Sequence, residues 1–171
     1  QLVLDFYRNA RRRHFRWPFI RRFEFGVALC PLPGDWDRYF MSIEASARRN
    51  YKKSIRLGYD FQRIHYNDRR DEIGAILRST DVRQGRVPDA LLRGDLPSCQ
   101  DPVTRSAFHD YPYFGIFNPE KKCVAYAGCL VSGEALNIEQ LYGHADYQQD
   151  GIVPMLILRI AEYALQHYPA V

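Results

Sequence analysis

The segment CVAYAGCLV at 123–131 carries no charged side chain. It is far shorter than the roughly 20 apolar residues of a membrane span. As a strand it must therefore be covered on both faces. Two further strand-like runs flank it, Tyr113–Phe117 (YFGIF) and Ala135–Tyr142 (ALNIEQLY), joined through a turn at 118–122 and a Ser132-Gly133 turn. Behind this meander, Ile152–His167 reads as a helix that is apolar nearly all round and has Pro154 in its first turn. Covering a sheet on both faces and burying such a helix together imply an α/β fold.

The rest of the chain supplies the other layers. Asp35 is placed to cap a helix over 36–44, and a second helix over 46–57 stops at Gly58. A strand at Tyr59–Tyr66 follows. Asn67 or Asp68 then caps a helix over 69–79 whose inward residues are Ile73, Ile76 and Leu77. Residues 83–97 form a loop with one helical turn at 89–93, and 143–151 form another loop. At the N-terminus, seven arginines in residues 1–22 alternate with aromatic side chains such as Phe6, Phe15 and Trp17. A basic amphipathic helix over 2–16 is expected before Pro18, then a strand at Phe23–Leu29.

Charge divides the chain. Residues 1–63 hold 14 Lys/Arg against 6 Asp/Glu, and residues 64–171 hold 10 against 14, so the halves carry +8 and −4. In the 46–57 helix, Arg48, Lys52 and Arg56 recur every four residues with Arg49 and Lys53 beside them, giving one basic face. Such a surface suits RNA or an acidic membrane, or pairs with the acidic half. Cys123 and Cys129, six apart on one strand, should share a face about 20 Å apart. That is too far for a disulfide or a shared metal. The four cysteines show no metal-ligand spacing and suit a reduced, cytoplasmic setting.

From Tyr59 onward the order strand, helix, irregular segment, meander, loop, buried helix resembles the Gcn5-related N-acetyltransferase (GNAT) family. The loop adds a second likeness. Gln148-Gln149-Asp150-Gly151-Ile152-Val153 is similar to the family's Gln/Arg-x-x-Gly-x-Gly/Ala acyl-CoA motif, with Val153 departing at the last place. The resemblance implies a GNAT-like mixed, mostly antiparallel sheet flanked by helices. It also implies a basic N-terminal extension over 1–58 and an acyltransferase domain over 59–171. The family's C-terminal strands lie beyond the end of this chain, so a further segment or an oligomer would complete the sheet.

The implied activity is N-acyl transfer from acyl-CoA, acetyl-CoA first, to a small-molecule or peptide amine, with no metal. Gln140, Leu141, Tyr142 and the 148–153 loop would then bind the cofactor. Glu139, the only carboxylate within its strand, and His144 just beyond it become the candidate acid–base groups. Arg83, Arg86, His109 and Tyr111 would border the acceptor. A separate run, SARRNYKKSIRLGYDF at 46–61, resembles the Fem-type transferases and implies the alternative, an aminoacyl-tRNA-dependent aminoacyltransferase. A third reading is a non-catalytic RNA- or partner-binding module on the same scaffold.

Overall fold

The computed structural model describes residue 8 and residues 11–19, 28–80, 94, 96–100 and 104–171. Two compact units divide the chain, Gln1–Pro31 and Leu32–Val171. In the first, the His14 ring accepts hydrogen bonds from the Arg16 and Trp17 amides, both at 3.2 Å. The expected strand at 23–29 and most of the expected 2–16 helix fall outside the described residues.

The second unit opens with α1 (Trp36–Ser42) and α2 (Ala45–Arg56). Asp35 caps α1 by accepting from the Arg38 amide at 2.8 Å. Gly58, at φ +81°, turns the chain out of α2, a conformation that costs glycine little. Next come β1 (Asp60–Ile64), a 3₁₀ turn at Tyr66–Arg69 and α3 (Arg70–Arg78). The sheet continues with β2 (His109–Asp110), β3 (Tyr113–Phe117), β4 (Cys123–Ser132) and β5 (Ala135–Gly143). A 3₁₀ segment, Ala145–Asp150, replaces the expected loop and leads into α4 (Ile152–His167).

Every pairing among these strands is antiparallel, so the expectation of a mixed sheet is corrected. β3 lies between β1 and β4, β5 takes the other side of β4, and β2 extends the β3 edge along the far end of β4. One core packs α1, α2 and α4 on one face around Phe114, Ile116, Ile152 and Leu156. The other face is covered by α3 through Ile73, Ile76 and Leu77 against Phe117, Cys123 and Tyr126.

Two irregularities set which side chains face where. Phe117 pairs with Cys123 but Ile116 pairs with Ala125, so Val124 is an extra residue in β4. It moves Cys123 to the α3 face while Cys129 stays with the α4 face, and the shared face expected from their spacing is lost. Likewise Gly128 pairs with Gln140 and Cys129 with Ile138, which makes Glu139 the extra residue of β5.

Candidate functional site

β1 carries Phe61 and Arg63 two residues apart, hence on one face, toward α4. Phe61 stacks on Phe114 at 5.2 Å, and Arg63 donates to the Tyr163 hydroxyl at 3.3 Å. The other end of the Arg63 guanidinium reaches Asp110 on β2, with Nη2 at 3.0 and 2.9 Å from the two carboxylate oxygens. Asp110 is only 4% exposed, which makes it a buried charge needing several partners. It has them. The Tyr168 hydroxyl, just past α4, donates at 2.7 Å and the Tyr111 amide at 2.8 Å, while Arg105 Nε lies 3.8 Å away.

Burial opposes the Arg63 charge, but the Tyr163 hydrogen bond and Asp110 outweigh it and raise its pKa. Burial and the bond to Asp110 push the Tyr168 phenol up as well. The network holds the Arg63 guanidinium in place. That cation stands between two cavities.

The first, about 160 Å³, is lined by Arg63, His65, Tyr66, Arg105, Tyr111 and Tyr113 among others. The second, about 260 Å³, lies between Phe61 and Arg63 on β1 and Arg159, Glu162, Tyr163 and Gln166 on α4. In the first, the Tyr66 and Tyr113 rings lie 5.0 Å apart, and the Tyr113 hydroxyl contacts the Cys99 thiol at 3.8 Å. Burial, then Cys99, raises the pKa of both phenols, so both stay protonated donors. Two arginines beside three tyrosines can hold phosphate or carboxylate oxygens and stack a planar group.

The residues expected from sequence fall in three places. Tyr111 lines the first cavity, and exposed His109 sits beside it with rings 6.3 Å apart. Glu139 is exposed at the β5 irregularity, close enough to add to the shifts of Tyr113 and of Cys129, which burial and Glu139 push up to about 12. Gln140, Leu141 and Tyr142 follow it along β5, Tyr142 stacking on Tyr126 at 5.6 Å. His144 caps the 3₁₀ segment by accepting from the Asp146 amide at 3.4 Å and packs on Tyr147. Arg83 and Arg86 lie outside the described residues.

The Gln148–Val153 stretch is bonded to α2. Lys53 donates to the Gln149 carbonyl at 2.6 Å, Ser54 to the Asp150 carbonyl at 2.6 Å, and Tyr59 to the Asp150 carboxylate at 2.7 Å. Gly151 sits at φ +79°, and a Cβ there would come within 2.7 Å of the Asn50 carbonyl oxygen. The glycine is therefore required by the chain turn and by contact with α2. That requirement accounts for the motif-like spacing without any ligand.

With this geometry in place, the fold has counterparts among solved structures: an antiparallel sheet flanked by helices. The structure of L-PGS from Bacillus licheniformis matches 77% of this chain at 15% identity and a TM-score of 0.53. The C-terminal domain (DUF2156) of a protein assigned as lysylphosphatidylglycerol synthetase from Agrobacterium fabrum matches 74% of it at 16% identity and a TM-score of 0.47. The chain spans about two fifths of the length of each, 40% and 41% respectively. No family model matches the sequence, and no curated protein does.

The likeness to L-PGS corrects the GNAT assignment, and with it the acetyltransferase activity and the acyl-CoA (acetyl-CoA) cosubstrate. The order of elements that suggested that family is a property of the fold, and Gly151 is explained by Asn50. Among the described residues, no helix is long and apolar enough to cross a membrane, and no cluster of His, Cys, Asp or Glu could hold a metal.

Sequence reasoning missed Arg63, Asp110, Arg105, Tyr163 and Tyr168. Arg63 in the middle of a strand was the one local signal. Its partner is 47 residues away, beyond any periodicity argument.

Proposed function

We propose that the Leu32–Val171 unit belongs to an aminoacyltransferase that takes aminoacyl-tRNA as donor and a phosphatidylglycerol headgroup hydroxyl as acceptor. The observation that carries this reading is the fold shared with L-PGS of Bacillus licheniformis over 77% of the chain. A lysyl ester of phosphatidylglycerol, the product in that enzyme's name, needs an activated amino acid. The aminoacyl ester of tRNA supplies one, and it is the donor of the Fem-type enzymes that 46–61 resembles. In the transfer, the acceptor oxygen bonds to the aminoacyl carbonyl carbon, the bond to the ribose oxygen breaks, and the acceptor proton ends on that ribose oxygen.

The chemistry of the first cavity supports the reading. Arg63 and Arg105 supply charge for a phosphate, and Tyr66, Tyr111 and Tyr113 supply faces for a terminal base or ribose. Glu139, whose charge acts on Tyr113, is the carboxylate we assign to the proton transfer. The test is transfer of labelled lysine from lysyl-tRNA into phosphatidylglycerol vesicles. Labelled lipid in the wild type, reduced roughly 100-fold or more in Glu139→Gln, fits general-base catalysis by Glu139. No labelled lipid with lysyl-tRNA or with other aminoacyl-tRNAs would sink the proposal.

A further inference from the structure

From the outer face of α2 we infer a docking surface for an anionic lipid bilayer. The helix Ala45–Arg56 contains five cations and no acid. Lys53 is committed to Gln149 and Asp150, and Tyr51 and Ser54 are buried. Arg49, Lys52, Ile55 and Arg56 face outward, all exposed. Arg48 continues this surface to α1 by donating to the Met41 carbonyl at 3.3 Å and to its sulfur at 3.4 Å.

Three aliphatic side chains stand in this basic surface in contact with water: Met41 at 68% exposure, Ile55 at 48% and Leu57 at 43%. That mixture selects the partner. Cations with interspersed aliphatic groups suit the headgroup boundary of an acidic membrane, where the charges meet lipid phosphates and the aliphatic groups leave water. RNA would reward the charges but has no use for the aliphatics. The aromatic side chain that could stack a base, Tyr51, is buried. The inference concerns where the protein sits, and it stands whether or not the transfer reaction proposed above is correct.

The experiment is vesicle co-sedimentation of the purified protein with phosphatidylcholine alone, phosphatidylcholine with phosphatidylglycerol, and phosphatidylcholine with phosphatidylserine. Docking through charge requires binding to both anionic mixtures, whereas an acceptor site alone would favour phosphatidylglycerol. Arg49→Gln/Lys52→Gln/Arg56→Gln should lower binding to both by roughly tenfold or more. Ile55→Ser, which keeps every charge, should lower it by about threefold or more. These side chains point into water, so thermal melts should match the wild type; lost vesicle binding in a variant that melts normally supports the surface. Equal binding to neutral vesicles, anionic binding unchanged in the triple variant, or a triple variant that loses tRNA binding alone would overturn it.

Discussion

Two aspartates organise polar networks in the Leu32–Val171 unit, and they do opposite jobs. Asp110 is buried between β1, β2 and the end of α4, held by Arg63 and Tyr168, with cavities on either side of its arginine. Asp150 is a third exposed and ties the 3₁₀ segment to Lys53 on α2 and to Tyr59 just beyond it. Sequence pointed to the second region, because Gln148 and Gly151 have a ligand-binding look. Geometry points to the first. A glycine before a helix is ambiguous until its neighbours are known, whereas a buried carboxylate paired with an arginine beside a cavity carries a cost that needs a reason.

The largest effect that separates the two should come from Asp110→Asn. It leaves Arg63 beside a neutral amide, and removing one partner of a fully buried pair costs roughly 3–5 kcal/mol. The Arg63 side chain is 35% exposed, so water offsets part of that and we expect about 2–3 kcal/mol. A urea titration reads it. Gly151→Ala comes next, at roughly 1–3 kcal/mol, because the added methyl meets Asn50 and the residue is held at positive φ. Gly133→Ala, also at positive φ but with open space around it, isolates the backbone part at about 1 kcal/mol. Equal losses for the two glycines would mean that the Asn50 contact adds no cost.

Lys53→Ala should cost least, under about 1 kcal/mol, since the pair is half-exposed and salt-screened. A pH series sharpens the same contrast. Tyr168 and Tyr59 both have pKa values raised by burial first and by their aspartates second. A raised folded-state value stabilises fully below the unfolded tyrosine pKa of about 10 and is lost as pH climbs above it. Each Tyr→Phe variant should therefore lose less stability above that pH than the wild type, read by melts across the alkaline range. An identical alkaline slope in both variants and the wild type would contradict this.

Much of the scaffold was legible because its signals are local. Tyr113–Phe117 and Ile152–His167 have the bounds that their apolar patterns predict, and Asp35 caps α1 as its position implies. What escaped was set by single inserted residues and by distant partners. Val124 turns Cys123 away from Cys129, and Glu139 is extra in β5; neither leaves a mark in hydrophobic periodicity. β2 is two residues long, too short for alternation to register, yet it carries Asp110. Tyr111 was named from sequence and lines the first cavity, while the two arginines that make that cavity cationic were not named.

A ligand held by Arg63 and Arg105 would bind at the Arg63–Tyr113 cavity and not at the Gln148–Val153 stretch. Filter binding of lysyl-tRNA to the wild type, Arg105→Gln and Lys53→Ala, at one fixed ionic strength, tests it directly. Binding should fall roughly tenfold or more in Arg105→Gln and stay within about twofold of wild type in Lys53→Ala. Unchanged binding in Arg105→Gln together with a large loss in Lys53→Ala would contradict it.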